Sequence, residues 1–82
     1  METSELLIRA KAASRLPTPS RRRSIRERAG ATQAELATAL GVSKQALERW
    51  ERGDAKPRGR HAAAYVLLLE QLEAAVDSRP AA

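Results

Sequence analysis

Apolar residues recur along this chain at the spacing of a helix rather than at the alternation of a strand. Leu36, Ala37 and Leu40 fall on one helical face, and Leu47 and Trp50 fall on one face of the segment that follows. Most other apolar residues are Ala or Leu, which are strong helix formers, whereas β-branched residues, which favour strands, are few. The pattern predicts an all-α fold with five helices.

The segment LPTPS at 16–20 separates the first two predicted helices. Before it, a short helix capped within the first four residues ends near Ser14. After it, Thr18 is suited to be the N-cap of the second helix, because its hydroxyl can accept a backbone N–H. Pro19 is suited to the first helical position, which needs no N–H donor. The second helix is predicted to end at Gly30.

A capping box opens the third predicted helix. The hydroxyl of Thr32 and the carboxylate of Glu35 can each accept an N–H that would otherwise lack a partner. Gly41 can take the left-handed conformation that ends a helix. Only Val42 then separates this helix from Ser43, the predicted N-cap of the fourth. A connection this short forces a sharp angle between the two helices.

The fourth helix is predicted to end at Gly53, and the basic loop GDAKPRG follows it. The last helix is predicted over residues 60–77, and its apolar run at 66–69 is wider than one buried face requires. We expect this surplus to pair two chains in a homodimer through the C-terminal helix. The expected organisation is a helical extension at 1–15, a domain at 16–78 and a tail at 79–82 that frays.

Length and composition restrict the class of protein. Eighty-two residues suffice for one small domain, whose thin core buries about 60% of the unfolded surface. The absence of cysteine excludes a disulfide framework and a Cys-ligated zinc site. The first residues have no signal-peptide core, and the longest apolar run, at 62–69, is far shorter than the roughly 20 residues that span a bilayer. We therefore expect a soluble, cytoplasmic protein with no membrane partner.

Positive charge is concentrated in the middle of the chain. The net charge is +5, but residues 15–60 alone carry twelve basic and five acidic side chains, whereas residues 1–14 sum to zero and residues 61–82 to −2. Concentrated positive charge indicates a polyanionic partner such as nucleic acid. Charge by itself is equally compatible with a solvated basic face that raises solubility.

The segment SKQALERWERG at 43–53 sorts its residues onto two sides of a helix. At about 100° per residue, Ala46, Leu47 and Trp50 share the side that faces a core. The opposite side carries Lys44, Gln45, Glu48, Arg49 and Arg52. A lone tryptophan at this spacing is usually a core residue, so the charged side is left for a partner.

The stretch TQAELATALGVSKQALERWERG closely resembles the helix-turn-helix of phage repressors and Cro-like proteins, the XRE family. Ala37 occupies the position where that family has a small residue, and Gly41 occupies its turn. The resemblance covers about residues 18–58 and implies a small five-helix, lambda-repressor-like bundle that regulates transcription by binding double-stranded DNA. Arg22 and Ala31 depart from the pattern, which has aliphatic residues there, and both are expected to thin the core.

The resemblance implies that the helix at 43–52 reads bases in the major groove. Gln can pair with adenine, Arg or Lys with guanine, and Glu with cytosine. The expected base contacts are Lys44, Gln45, Glu48 and Arg49. Helix N-termini and flanking basic residues can bind phosphates. The expected phosphate contacts are Gln33, Ser43, Arg21, Arg23, Arg52, Lys56 and Arg58.

Some of these side chains also have a structural interpretation. Glu48 lies four residues from both Lys44 and Arg52, so ion pairs within the helix compete with a base contact. Arg26 and Glu51 resemble the pair that, in this family, ties the first helix of the motif to the recognition helix.

No catalytic arrangement, metal site, cofactor motif or small-molecule site is evident in the sequence. His61 is the only histidine and lacks the partners that a metal site or a triad requires, so we expect an exposed polar residue. Two other interpretations remain open. The chain could be an antitoxin or adaptor that binds another protein through an apolar helix. It could also bind RNA, although aromatic stacking residues are scarce. Only binding to nucleic acid should weaken steeply as salt rises.

Overall fold

The computed structural model describes residues 3–79, and within that range the regular elements are all helices. In chain order they are α1 (Thr3–Ser14), α2 (Pro19–Arg28), α3 (Gln33–Leu40), α4 (Lys44–Arg52) and α5 (Gly59–Asp77). The prediction of an all-α, five-helix fold is confirmed, and α5 begins one residue earlier than the sequence pattern predicted. Residues 1–2 and 80–82 lie outside the described residues, and with them most of the predicted tail.

Local capping signals set the start of α2 as expected. Thr18 is the N-cap, and its hydroxyl accepts the N–H of Arg21 at 3.3 Å. Pro19 occupies the first helical position, where a missing N–H leaves no hydrogen bond unmade. The helix ends two residues before Gly30.

Four helices enclose one hydrophobic core. Leu47 of α4 and Tyr65 of α5 have no exposed surface. The cluster consists of Ile25 from α2, Leu36, Ala37 and Leu40 from α3, Leu47 and Trp50 from α4, and Tyr65 and Leu69 from α5. Burying one large apolar side chain contributes roughly 1.5–3 kcal/mol. The helix-turn-helix is therefore held in place by side chains from α2 and α5.

The first helix packs mainly against α5, outside this cluster. Its buried residue is Ala12. On α5, Val66 is 1% exposed, whereas Leu67 is 54% exposed. Part of the apolar surplus of the C-terminal helix is therefore used within the chain.

Acidic side chains of α5 bind basic side chains from the first part of the chain. The pairs are Arg15–Glu70 at 3.1 Å, Arg21–Glu73, and Arg28–Asp77 at 3.9 Å. The side chain of Arg79 also donates weak hydrogen bonds, both at 3.4 Å, to the carbonyl oxygens of Arg28 and Ala29. Exposed pairs of this kind each contribute only about 0–1 kcal/mol. Their larger effect is to neutralise part of the positive charge against α5.

Candidate nucleic-acid interface

The capping box predicted at the start of α3 is present. The N–H of Glu35 donates to the Thr32 hydroxyl at 3.0 Å, and the N–H of Thr32 donates to the Glu35 carboxylate at 2.9 Å. The bond from the Thr32 backbone lowers the pKa of Glu35, because it favours the charged carboxylate. The start of α3 is therefore fixed by its own sequence.

The turn between α3 and α4 depends on a single glycine. Gly41 has a φ of 70°, in the left-handed region. A Cβ at this position would meet no atom within 4 Å, so glycine is favoured by backbone conformation and not by space. The N–H of Val42 then donates to the carbonyl of Ala37 at 3.0 Å. The hydroxyl of Ser43 caps α4 by accepting the N–H of Ala46 at 3.1 Å.

The predicted division of α4 into two sides is confirmed. Leu47 and Trp50 are 0% and 7% exposed. The side chains that face away from the core are Lys44, Gln45, Arg49 and Arg52, which are exposed, and Glu48, which is half-buried. A row of hydrogen-bonding groups therefore lies on the outside of a helix whose inner side is anchored.

The pair expected from the family pattern connects α2 with the end of α4. Arg26 donates two hydrogen bonds to the Glu51 carboxylate, at 2.6 and 2.8 Å, and a third to the carbonyl of Ala31 at 2.9 Å. The side-chain amide of Gln33 donates to the same carboxylate at 3.1 Å. Burial alone would raise the pKa of Glu51, but the bonds from Arg26 and Gln33 outweigh it and lower that pKa. The Glu51 carboxylate thus links α2, α3 and α4.

Arg22 departs from the family pattern, but it does not leave the core thinner at that position. It is 4% exposed, and its guanidinium donates to the carbonyl oxygens of Pro17 and of Trp50, the latter at 2.7 Å. The guanidinium carbon also lies 5.5 Å from the centre of the Tyr65 ring. The expectation that Arg22 thins the core is therefore wrong, because its long side chain fills the space and braces the end of α4. The sequence signal was available, since Arg22 shares a helical face with Ile25.

His61 is not simply an exposed residue, as was expected. It is half-buried, with its ring centre 6.3 Å from that of Trp50. On the same helix, the Tyr65 ring lies 5.6 Å from Trp50, and burial raises the pKa of its hydroxyl. Trp50 is therefore packed against α5 through aromatic side chains.

The fold brings together several candidate contact residues from separate helices. Arg23, Gln33 and Lys44 line one open cleft, and Arg23 and Gln33 also line a second with Glu48 and Arg52. Lys56 and Arg58 are exposed in the loop between α4 and α5. By contrast, Arg21 is bound to Glu73 of α5.

Ion pairs engage some of these residues but not all. Lys44 pairs with Glu48 at 3.6 Å, as expected, whereas Arg52 pairs with Asp54 at 2.8 Å rather than with Glu48. That hydrogen bond with Asp54 raises the pKa of Arg52. Arg23 pairs with Glu27 at 3.5 Å. Among the candidate contact residues, those with no ion-pair or side-chain hydrogen-bond partner within residues 3–79 are Gln45, Arg49, Lys56 and Arg58.

Residues 3–79 contain neither a metal-binding cluster nor a membrane-spanning helix. No group of three or more His, Asp or Glu side chains there is arranged to hold a metal ion. None of the helices in this range has the length and apolar content to cross a membrane.

Comparison with known proteins identifies the motif independently. The family model described as helix-turn-helix matches residues 23–76, which is well over half of the chain. No curated protein and no solved structure matches the sequence. The chain belongs to the XRE and Cro-like helix-turn-helix family of DNA-binding transcription regulators.

Proposed function

We propose that the protein is a sequence-specific repressor or Cro-like regulator that places α4 in the major groove of double-stranded DNA. The observation that carries this proposal is the anchoring of α4 by Leu47 and Trp50, which leaves its polar side exposed. A helix about 10–12 Å across fits a major groove about 12 Å wide. The exposed side of α4 carries the residue types that recognise base edges.

The proposed base contacts differ in whether another side chain of the protein already binds them. Gln45 and Arg49 have no competing side-chain partner among the described residues, so we assign adenine to Gln45 and guanine to Arg49. Lys44 and Glu48 are paired with each other, and such a pair within a helix is worth only about 0.3–0.5 kcal/mol. DNA can therefore separate them, so that Lys44 binds guanine and Glu48 accepts a hydrogen bond from cytosine.

Phosphate contacts are proposed at the two helix N-termini and on the basic residues around them. Gln33 uses one amide N–H to bind Glu51, which leaves its second N–H for a phosphate. Ser43 is exposed at the start of α4, where backbone N–H groups favour an anion. The cleft that Arg23 and Lys44 share with Gln33 offers positive charge at the same place.

The other basic residues contribute unequally in this proposal. Lys56 and Arg58 are exposed and have no ion-pair partner within residues 3–79, so each can neutralise a phosphate fully. Arg52 must first release Asp54, and Arg21 must release Glu73. We therefore assign smaller shares of the binding energy to Arg52 and Arg21.

We further propose that the regulator acts as a homodimer in the cytoplasm of a bacterium or a phage-infected bacterium, where its DNA target lies. The C-terminal helix was the expected dimer surface; of its apolar run at 66–69, Val66 and Leu69 are buried within the chain and Leu67 is 54% exposed. A homodimer with two-fold symmetry binds two half-sites in inverted orientation, about one helical turn or roughly 34 Å apart.

The direct test is selection of bound sequences from a pool of random duplexes. We expect enrichment of one short motif in inverted repeat, with binding that weakens steeply as salt rises. When the Gln45→Ala variant is put through the same selection, it should lose its base preference at a single position of each half-site. A pool that stays random after repeated selection would overturn the proposal of sequence-specific binding.

An antitoxin or adaptor function is the second candidate, because large apolar residues are exposed on two helices. Leu6, Leu7 and Ile8 of α1 are 53%, 56% and 67% exposed, in addition to Leu67 of α5. A surface of this kind suits a protein partner. A complex that forms through these residues and barely responds to salt would favour this alternative.

A further inference from the structure

The N-terminal half of α1 is exposed to solvent. Every residue from 3 to 8 is exposed. Ala12, one helical turn beyond Ile8, is only 5% exposed, whereas Ile8 is 67% exposed. The packing of α1 against the body therefore ends between these two residues, and an apolar turn projects into solvent.

Charged residues flank this turn in a self-complementary order. Glu5, Ile8 and Lys11 are spaced three residues apart, so they lie within an arc of about 120° on one side of α1. Glu5 and Lys11 are exposed, and neither forms an ion pair with another described residue. Ile8 lies midway between an acid and a base. The stripe is therefore complementary to a copy of itself in the opposite direction.

We propose that α1 pairs with α1 of a second copy, antiparallel, about a two-fold axis at Ile8. In this arrangement the two Ile8 side chains meet on the axis. Glu5 of each chain then faces the partner's Lys11, so the symmetry makes two identical ion pairs. Leu7 flanks the axis and adds apolar contact, because it lies about 100° from Ile8 around the helix.

A second copy fits this stripe better than the other apolar occupants do. A membrane surface would leave Glu5 against anionic headgroups, whereas the self-pair gives both charges an opposite partner. The contact is small compared with the roughly 800 Å² per partner of a standard stable interface. We therefore expect weak pairing, with a dissociation constant between about 10 µM and 1 mM.

This inference rests on the homodimer proposed above and places its contact on α1 in place of α5, but the pairing itself needs no DNA. Sedimentation equilibrium of the full chain, from micromolar to millimolar concentration, measures it. Glu5→Lys alone and Lys11→Glu alone should each weaken pairing by about fivefold or more, because each places like charges opposite one another. The double variant Glu5→Lys/Lys11→Glu should restore the wild-type constant within about twofold.

A mixture of the two single variants gives the sharpest result. Glu5→Lys chains repel one another, and so do Lys11→Glu chains, but the two kinds attract when combined. An antiparallel contact between these residues predicts that the mixture pairs about as tightly as the wild-type chain. A parallel contact predicts tighter pairing in the mixture than in the wild-type chain, where like charges would face each other. Ile8→Gln should abolish pairing, while circular dichroism shows that the helical content is kept.

Leu67→Gln tests the competing surface on α5, because it removes an exposed apolar residue of the helix on which the dimer was first expected. We expect it to leave the association unchanged. Loss of pairing in Leu67→Gln with no response to the charge reversals would overturn the inference in favour of α5. So would a wild-type chain that stays monomeric at 1 mM. Binding of DNA by variants that no longer pair would keep the proposed DNA-binding function intact and separate the two questions.

Discussion

The guanidinium of Arg26 and the carboxylate of Glu51 form a two-point ion pair between α2 and α4, with donor–acceptor distances of 2.6 and 2.8 Å. Their side chains are only 10% and 2% exposed. Gln33 donates to the same carboxylate, so the start of α3 meets the pair as well. The orientation of α4 relative to α2 therefore depends on a buried charge.

Replacing only one member of the Arg26–Glu51 pair should lower the free energy of unfolding substantially. Arg26→Met leaves the Glu51 carboxylate buried with only the Gln33 amide as partner, and we expect a loss of about 3–5 kcal/mol in the free energy of unfolding. The double variant Arg26→Met/Glu51→Met removes both charges and should recover most of that loss. Urea unfolding followed by Trp50 fluorescence measures both. A loss below about 1 kcal/mol in the single variant would contradict this account.

The same carboxylate predicts a dependence of stability on pH. The pKa of Glu51 in the folded protein is below its ordinary value of 4.5, so the folded state favours the charged form. The stabilisation is therefore complete above about pH 5 and is lost as the pH falls through the depressed pKa. Unfolding free energies measured from pH 6 down to pH 3 should decrease for the wild-type chain. In Glu51→Gln this decrease should be smaller, because other carboxylates alone remain to titrate. Equal slopes for the two proteins would show that Glu51 does not contribute.

Arg22 offers a test of a buried charge at a position where the family resemblance led us to expect an aliphatic residue. Arg22→Ala should destabilise the fold by about 2–4 kcal/mol, because it opens a cavity beside Tyr65 and leaves the carbonyls of Pro17 and Trp50 without this donor. Arg22→Leu fills part of the space and removes the buried charge, so its effect should lie within about 1.5 kcal/mol of zero. Thermal unfolding of both variants distinguishes these outcomes. An equally large loss in Arg22→Leu and Arg22→Ala would show that bracing by the guanidinium dominates over packing, because both variants lack it.

The sequence predicted the features that depend on near neighbours. The N-caps Thr18, Thr32 and Ser43 each bond a backbone N–H three residues later, so each is encoded within a few positions. The two sides of α4 follow in the same way from residue spacing. These local signals were sufficient to place the helix-turn-helix and its exposed side.

The features that the sequence did not predict depend on distant partners. Arg22 is buried because Pro17, Trp50 and Tyr65 surround it, and they come from three separate segments. Arg52 had two acidic candidates within reach and pairs with Asp54. The position of α1 on α5, which covers part of the apolar run, likewise results from packing and not from periodicity.

Reading of the DNA sequence and attachment to its sugar-phosphate backbone can be separated by substitution. Gln45 is exposed near the start of α4, whereas Arg58 lies in the loop that follows this helix. Gln45→Ala should weaken the preferred site by about 1–3 kcal/mol and leave binding to random duplex almost unchanged. Arg58→Ala should lower affinity for every sequence alike and reduce the slope of log affinity against log salt by about one unit. Salt titrations on both DNAs measure the two effects.

Arg28→Ala is the matched control, because it removes the same charge where Arg28 faces Asp77 of α5. Its salt slope should equal that of the wild-type chain, since a phosphate contact is not proposed there. If Arg28→Ala and Arg58→Ala changed the slope equally, the effect would come from net charge and not from a contact. If Gln45→Ala lost affinity equally on both DNAs, Gln45 would contact the sugar-phosphate backbone of the DNA and not a base. The exposed side of α4 would then hold the duplex without reading it.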